Sequence, residues 1–479
     1  MTVLTRREFL GKAAIGLSAA YVLPRAAWAG PAAGNEKPNL VLVMADDMGW
    51  GDLAANGSNK FVKTPELDAM AAAGLRLTRC YATSPQCVPT RMGVLSGRHP
   101  SRYGVFAAEP PGLPAEVVTS AEVLGKMGYA TGHFGKWHIG AMQAGAPTSP
   151  GGQGFQTWYS IANSYMVHKM DVTFQRNGRA EKSKGYCETA IMDEALKFIR
   201  ASVTGKKPFL AVIWNMAPHD PHLAPDDCRA FYAHLPEAEQ HYWGMITAID
   251  REVGRLRREL RALGVAENTL VFFSSDNGGT RYSSAHDPFQ GGKGGLFEGG
   301  LRVPGIIEWP AHIPQGRLSD IPVNLMDSFP TCLAAAGAPA PEGLDGLNLL
   351  PLIAGEWRER PAPMAFHFLD QNWQSNMVRK PDFFTSIGHY GFAVVDNRWK
   401  LIASARGDAV RLFDVVEDVG EKKDLAAAKP EVVKRLQDWR TQWWTSVVTD
   451  LQRMGFVIDP ETRQPKPEQP VRQRRGSGK

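Results

Sequence analysis

Asn39-Leu40-Val41-Leu42-Val43-Met44 reads as a continuous apolar run between polar turns, and it decides the fold. The run does not alternate, so it leaves no face for solvent. That pattern predicts a central strand covered on both sides, as in a parallel sheet. Asp46 and Asp47 follow almost at once. Two adjacent carboxylates at the end of a buried strand repel each other. They are costly to desolvate unless a cation or hydrogen bonds compensate.

Three more segments repeat the design further along the chain. Tyr129 to His138 reads as a strand running into a glycine-rich loop, with Lys136 and His138 on one side of an extended segment. Phe209 to Trp214 is a strand ending in Ala217-Pro218-His219-Asp220-Pro221-His222. Thr269 to Phe273 is another, ending in Ser274-Ser275-Asp276-Asn277-Gly278-Gly279. Taken alone, Asp276-Asn277-Gly278 is an ordinary Asx-Gly turn. Helical segments lie between: Thr64-Pro65 to Gly74, a helix capped by Ser120 and stopped at Gly128, and Thr189 to Ser202. A long amphipathic helix carries Met245, Ile249, Val253, Leu256, Leu260 and Leu263 on one face, with an Arg/Glu-rich solvated face opposite. Strands alternating with helices predict a large doubly wound α/β mixed sheet flanked by helices. In such sheets ligands collect at the carboxyl ends of strands, where these polar clusters fall.

Gln86-Cys87-Val88-Pro89-Thr90-Arg91-Met92-Gly93-Val94-Leu95-Ser96-Gly97-Arg98 predicts a short helix, with Pro89 near its start and Gly97 as its stop. The free N–H groups at its start would attract an anion. Arg91 is read as lying in the first turn, where a cation opposes the helix dipole unless a negative ligand docks there. Cys87 sits beside that pocket. A second glycine-rich stretch, Gly291-Gly292-Lys293-Gly294-Gly295, precedes Glu298-Gly299-Gly300-Leu301-Arg302-Val303-Pro304.

The chain has 479 residues, 43% hydrophobic and 22% charged, enough for a large core. Its net charge of +5 is spread out except in the last residues, which excludes a nucleic-acid face of the usual kind. Five cysteines form no disulfide scaffold; pairing among Cys80, Cys187, Cys228 and Cys332 stays open. Residues 1–29 read as an export signal: Arg6-Arg7, an apolar run from Ala13 to Leu23, and Ala27-Trp28-Ala29 as a cleavage site. The run is too short to span a bilayer, so the mature chain is expected to begin near Gly30, outside the cytoplasm in the periplasm or secreted, with no stable membrane insertion. Residues 30–360 form the expected main domain. From 361 to 463 the texture changes: Phe392 to Val395, Trp399 to Ile402 and Val410 to Asp414 are short strands, and Glu431 to about Val447 is a helix. A small antiparallel sheet with one helix is predicted, followed by a disordered tail at 464–479.

Cys87-x-Pro89-x-Arg91 followed by Leu95-Ser96-Gly97-Arg98 resembles the sulfatase signature, within the alkaline phosphatase-like superfamily. The other blocks follow in the family's order, down to Leu412-Phe413-Asp414 and Asp418-Val419-Gly420-Glu421; Thr90 stands where Ser is commoner. The resemblance implies an arylsulfatase-like hydrolase in which Cys87 is converted to formylglycine by a formylglycine-generating enzyme before export. One hydroxyl of the hydrated aldehyde attacks sulfur, and loss of a proton from the other expels sulfate. Asp46, Asp47, Asp276 and Asn277, with the modified Cys87, match the ligands of one divalent ion, which hard oxygen donors make Ca²⁺. Lys136 and Lys293 match the groups that hold sulfate oxygens, His219 the leaving-group proton donor, and His138 the group that deprotonates the hydrate. Arg91 matches the residue that steadies position 87. His222 is read as either lining the substrate mouth or capping a loop, and His133 as structural. The implied substrate is a sulfated small molecule or saccharide, with Trp158, Trp373 and Phe383 as aromatics able to stack on a sugar ring. A phosphodiesterase or phosphonate monoester hydrolase of the same superfamily is the alternative; a non-catalytic sugar-binding scaffold would have lost some of these residues.

Overall fold

The computed structural model describes residues 37–106, 112–163, 167, 169–280, 282–283, 288–368, 391–404, 409–458 and 465–467. The expected export signal, Trp373 and Phe383 therefore lie outside the described residues.

The main sheet is built from β1 (Asn39–Asp46), β2 (Leu75–Leu77), β3 (Ala130–Lys136), β4 (Thr157–Ile161), β5 (Thr173–Arg176), β6 (Arg179–Lys182), β7 (Phe209–Pro218), β8 (Thr269–Ser275), β9 (Ile306–Glu308) and β10 (Arg317–Ser319). Their order is β10-β2-β9-β8-β1-β7-β3-β4-β5-β6. β1 pairs in parallel with both β7 and β8, and β3 pairs in parallel with both β7 and β4. The edges turn antiparallel, at β8–β9 on one side and β4–β5 on the other, giving the expected mixed sheet. Every residue of β1, β3, β7 and β8 is buried, as the unalternating apolar sequences of β1, β7 and β8 require.

Six helices matter for the site: α1 (Pro65–Ala73), α2 (Cys87–Ser96), α3 (Ser120–Lys126), α4 (Cys187–Thr204), α5 (Glu237–Ala262) and α6 (Pro430–Arg453). On one face of the sheet, Val41, Val43, Ile213, Val271 and Phe273 share a core with α1, α4 and α5. Met245, Ile249, Val253, Leu256 and Leu260 of α5 are buried there, each contributing about 1.5–3 kcal/mol relative to exposure. On the other face Leu42, Met44, Trp214 and Phe272 line a small cavity together with Val94 of α2, Leu325 and Ser328.

The polar face of α5 is only partly solvated. Arg257 is 5% exposed and donates through Nε and NH2 to Glu308 at 2.7 and 3.0 Å. The start of α3 also differs from expectation. Thr119, not Ser120, is the cap: its hydroxyl accepts from Glu122 N–H while the Glu122 carboxylate accepts from Thr119 N–H.

The C-terminal sheet is a meander of β11 (Met364–Phe368), β12 (Gly391–Asp396), β13 (Trp399–Ser404) and β14 (Val410–Asp414). β11 has no counterpart among the predicted strands. The sheet is apolar on both faces. Ala393, Val395, Ile402 and Phe413 face Tyr81, Leu296, Phe297 and Leu301 of the main domain, while Phe392, Val394, Leu401 and Leu412 face Leu436 of α6. Within the stretch expected as a tail, Pro465–Pro467 pairs antiparallel with Phe456–Ile458. The rest of 464–479 lies outside the described residues.

Candidate active site

β1, β3, β7 and β8 run parallel, so their carboxyl ends open on one edge. Asp46 ends β1, and Asp47 turns the chain with φ +73°, a left-handed conformation that short polar Asp tolerates better than most side chains. Asp47 N–H donates to Asp276 Oδ1 at 3.2 Å and Met48 N–H to Ser275 Oγ at 3.0 Å, locking this turn onto β8. Buried Asp52 completes it by accepting from Gly49 N–H, the Tyr242 hydroxyl and the Ser283 hydroxyl. At the end of β3, Gly135 has φ +99°, and a Cβ there would sit 1.9 Å from the Trp214 carbonyl oxygen. Glycine thus lets β3 approach β7 just before Lys136.

The side chains interlock. Lys136 Nζ lies 2.7 Å from Asp46 Oδ2, and Lys293 Nζ 2.7 Å from Asp47 Oδ1. Arg91 NH2 lies 2.6 Å from Asp276 Oδ2 and 3.7 Å from Asp46 Oδ1, while its NH1 donates to the Lys136 carbonyl at 2.9 Å. Asn277 Nδ2 donates to Asp47 Oδ1 at 2.8 Å, and His219 Nε2 is 3.8 Å from Asp47 Oδ2. Cys87 Sγ is 3.4 Å from His138 Nδ1. The residues predicted from the sequence therefore meet at one place.

One local reading needs correction. α2 begins at Cys87, two residues before Pro89, so Arg91 falls in the second turn. Its negative partners are the carboxylates of Asp46 and Asp276, so its placement does not itself require a docked anion at the helix start.

Electrostatics follow from burial and crowding. Burial alone would raise Asp46, but Lys136, His219, Arg91 and Lys293 hold it well below its ordinary value. Asp47 is lowered against burial by Lys293 and His219. Asp276 is pushed up to about 7, first by burial and then by the Asp46 charge. Burial also pushes the Cys87 thiol up, so an unmodified Cys87 is a thiol rather than a thiolate. His138 is lowered to about 2 by burial, Lys136 and Arg91, which keeps it neutral.

These donors fit a hard cation. One potential ligand atom each from Asp46, Cys87 and Asp276 lies within 4.8 Å of the others, and Asp46, Asp47 and His219 form a second such group. Asn277 Oδ1 is buried with no hydrogen-bond partner among the described residues, an acceptor a cation would satisfy. Carboxylates with an amide oxygen suit Ca²⁺ or Mg²⁺ rather than a thiophilic metal.

A family model described as Sulfatase matches residues 38–338. The chain belongs to the sulfatase family. A second model, described as the C-terminal part of N-sulphoglucosamine sulphohydrolase, matches residues 292–442 of this sulfatase. It is 34% identical over 369 residues to N-acetylgalactosamine-6-sulfatase of Mus musculus, covering 68% of each chain. It is 32% identical over 442 residues to arylsulfatase A of Homo sapiens, covering 84% of this chain and 86% of that one. Among solved structures it resembles Ps i-CgsB in complex with k-i-k-neocarrahexaose, with a TM-score of 0.76 and 28% identity, covering 85% of this chain and 93% of that one. The sulfatase is thus a hydrolase of sulfate esters, with the alkaline phosphatase-like fold.

The other expectations sort by burial. His133 is enclosed by Trp137, Phe155 and Trp214, with Nδ1 2.7 Å from Ser160 Oγ, a packing role. Trp158 is 3% exposed and cannot stack on a sugar. His222 lies edge-on to Tyr242 and Tyr282, 3.3 Å from Asp220. All five cysteines are buried and unpaired with one another. Sequence reasoning misses Glu188, whose Oε1 accepts from Met216 N–H at 3.0 Å and Ala217 N–H at 2.9 Å where β7 leaves register before His219. A buried Glu on a helix carries no local signature.

Proposed function

We propose that this sulfatase removes a sulfate ester from a saccharide, using a nucleophile derived from Cys87. The observation that carries the reading is the convergence of Cys87, Arg91, Lys136, His138, His219 and Lys293 on the Asp46–Asp47–Asp276–Asn277 cluster. Formylglycine at position 87 would supply, as its hydrate, a nucleophile that can also release sulfate, which neither a serine nor a thiol could do. Asp46, Asp47, Asp276 and Asn277, with position 87, would hold one Ca²⁺ ion, which supplies Lewis-acid polarisation when bound.

The chain's own residues do the rest. Lys136 and Lys293 hold sulfate oxygens and offset the charge that grows in the transition state. Neutral His138, beside position 87, accepts a proton. His219, at the mouth of the cluster, gives a proton to the departing alkoxide. Arg91, fixed by two carboxylates and stacked on Trp214 at 5.0 Å, steadies position 87. A relative named N-acetylgalactosamine-6-sulfatase and a similar structure solved in complex with k-i-k-neocarrahexaose support a sulfated saccharide. Arg6-Arg7 would export the folded chain after a formylglycine-generating enzyme has acted on Cys87, to the periplasm or beyond. No helix among the described residues is long and apolar enough to cross a membrane.

The test is release of inorganic sulfate from defined sulfated saccharides and 4-nitrophenyl sulfate, set against bis(4-nitrophenyl) phosphate and a phosphonate monoester. Mass analysis of the Cys87 peptide runs alongside. Faster turnover of the phosphorus esters would overturn the substrate class. Full activity with an unmodified Cys87 would overturn the nucleophile.

A further inference from the structure

Lys293 stands on a closed loop. Gly299 N–H donates to the Gln290 carbonyl at 2.8 Å, so the two ends of the 290–299 segment meet. The approach excludes a side chain, since a Cβ on Gly299 would lie 2.4 Å from the same carbonyl oxygen. From the site side, Lys293 N–H donates to Gly279 O at 3.0 Å and Gly294 N–H to Pro85 O at 2.9 Å. These bonds tie the loop to the β8 turn and to the segment leading into Cys87.

The opposite side of the loop is held by the C-terminal subdomain. Gln290 Nε2 donates to the Gly420 and Glu421 carbonyls, both at 2.8 Å. Glu298 N–H donates to Glu421 Oε2 at 2.6 Å. Lys400 Nζ lies between Glu298 Oε1 and Glu421 Oε1, at 2.9 Å from each. Tyr81 OH donates to Glu298 Oε2 at 2.9 Å, and Arg302 NH1 reaches the same oxygen at 3.3 Å. Lys400 and Glu298 are fully buried. Such a cluster is a poor source of stability, because desolvation consumes most of the Coulomb gain. What it does supply is directional, charge-assisted contacts that fit one arrangement of the loop.

We propose that Lys400, Glu421 and Gln290 are positioning residues for Lys293: the C-terminal sheet, which places none of the proposed catalytic groups, clamps both ends of the 290–299 loop and so sets where the Lys293 ammonium sits. The inference rests on Lys293 acting on the sulfate, and the test separates the two. Lys400 lies on β13 and Glu421 just beyond β14, so the subdomain contributes to turnover from a distance.

The experiment is a double-mutant cycle on full-length protein, with Lys293→Ala, Lys400→Met and Gln290→Ala made singly and Lys293→Ala combined with each of the others. Turnover of 4-nitrophenyl sulfate gives kcat and KM. The rise in melting temperature with inorganic sulfate gives a second cycle where turnover of Lys293→Ala is below detection. Lys400→Met and Gln290→Ala are expected to lose about 10- to 100-fold in kcat, the scale of a misplaced catalytic group. On the Lys293→Ala background they should add less than about 3-fold, because coupled residues do not add. Additive losses, or wild-type kcat in both single variants, would overturn the proposal. Wild-type turnover in Lys293→Ala would instead overturn the role of Lys293. If Lys400→Met does not fold, Gln290→Ala, which removes only two hydrogen bonds, decides the matter.

Discussion

At position 87 burial works against the side chain that the gene encodes. A thiol raised by burial is a weak nucleophile, and its neighbour His138 is held neutral at 3.4 Å. Cys87→Ala should therefore abolish turnover while leaving the melting temperature near that of the parent; collapse of the fold would make Cys87 a structural residue. His99 makes the same kind of argument for stability. It is 1% exposed, its Nδ1 accepts from Ser101 N–H at 3.2 Å, and its ring meets Trp443 edge-on. An imidazolium could not accept that bond. Burial lowers His99 to about 4, against the pull of Asp345. Its folded value thus lies below the unfolded one, so the stability it contributes is complete above about pH 6.5 and is lost as pH falls through about 4. The loss should reach roughly 3 kcal/mol. Melting curves of the parent should steepen below pH 6.5 relative to His99→Gln; parallel curves would remove His99 from the acid response.

At the scale of elements, α5 does more than cover the sheet. Asp250 accepts from Glu66 N–H at 3.2 Å and from Leu67 N–H at 2.7 Å, so a side chain from α5 caps the start of α1. Asp250→Ala should cost about 1–2 kcal/mol in chemical denaturation and Asp250→Asn less, since an amide oxygen can still accept. Equal losses in the two variants would mean that charge, not capping, matters. This contact also marks where sequence reading stops. β1, β7 and β8 are legible because an unalternating apolar run of strand length, closed by polar residues, is seldom anything but a covered strand. β2, β9 and β10 are three residues each and carry no period. The start of α2 escapes the sequence because Pro89 suits a first position, yet the helix starts at Cys87. The charged partners of Arg257 and Lys400 are invisible there, because a buried ion pair and a solvated charge are written with the same letters.

For the whole molecule, the residues of the site are legible as motifs, but their meeting is not. Only the parallel sheet brings β1, β3, β7 and β8 to one edge, where carboxylates gather that the protein's own cations do not fully satisfy. Asp276 is the telling group. In the ion-free protein its pKa of about 7 lies above the ordinary carboxylate value of 3.8, through burial and then Asp46. The protonated form is therefore the favoured one: its contribution is complete below 3.8 and is lost as pH rises through about 7. A bound divalent cation reverses the sign, because it favours the carboxylate and binds only the folded site. The melting temperatures of ion-loaded and chelator-treated protein should accordingly diverge as pH rises from about 5 to about 8, and activity should fall on chelation. A gap that stays constant with pH would take Asp276 out of the ligand set. No gap at all, with full activity in the stripped protein, would take the ion out of the mechanism.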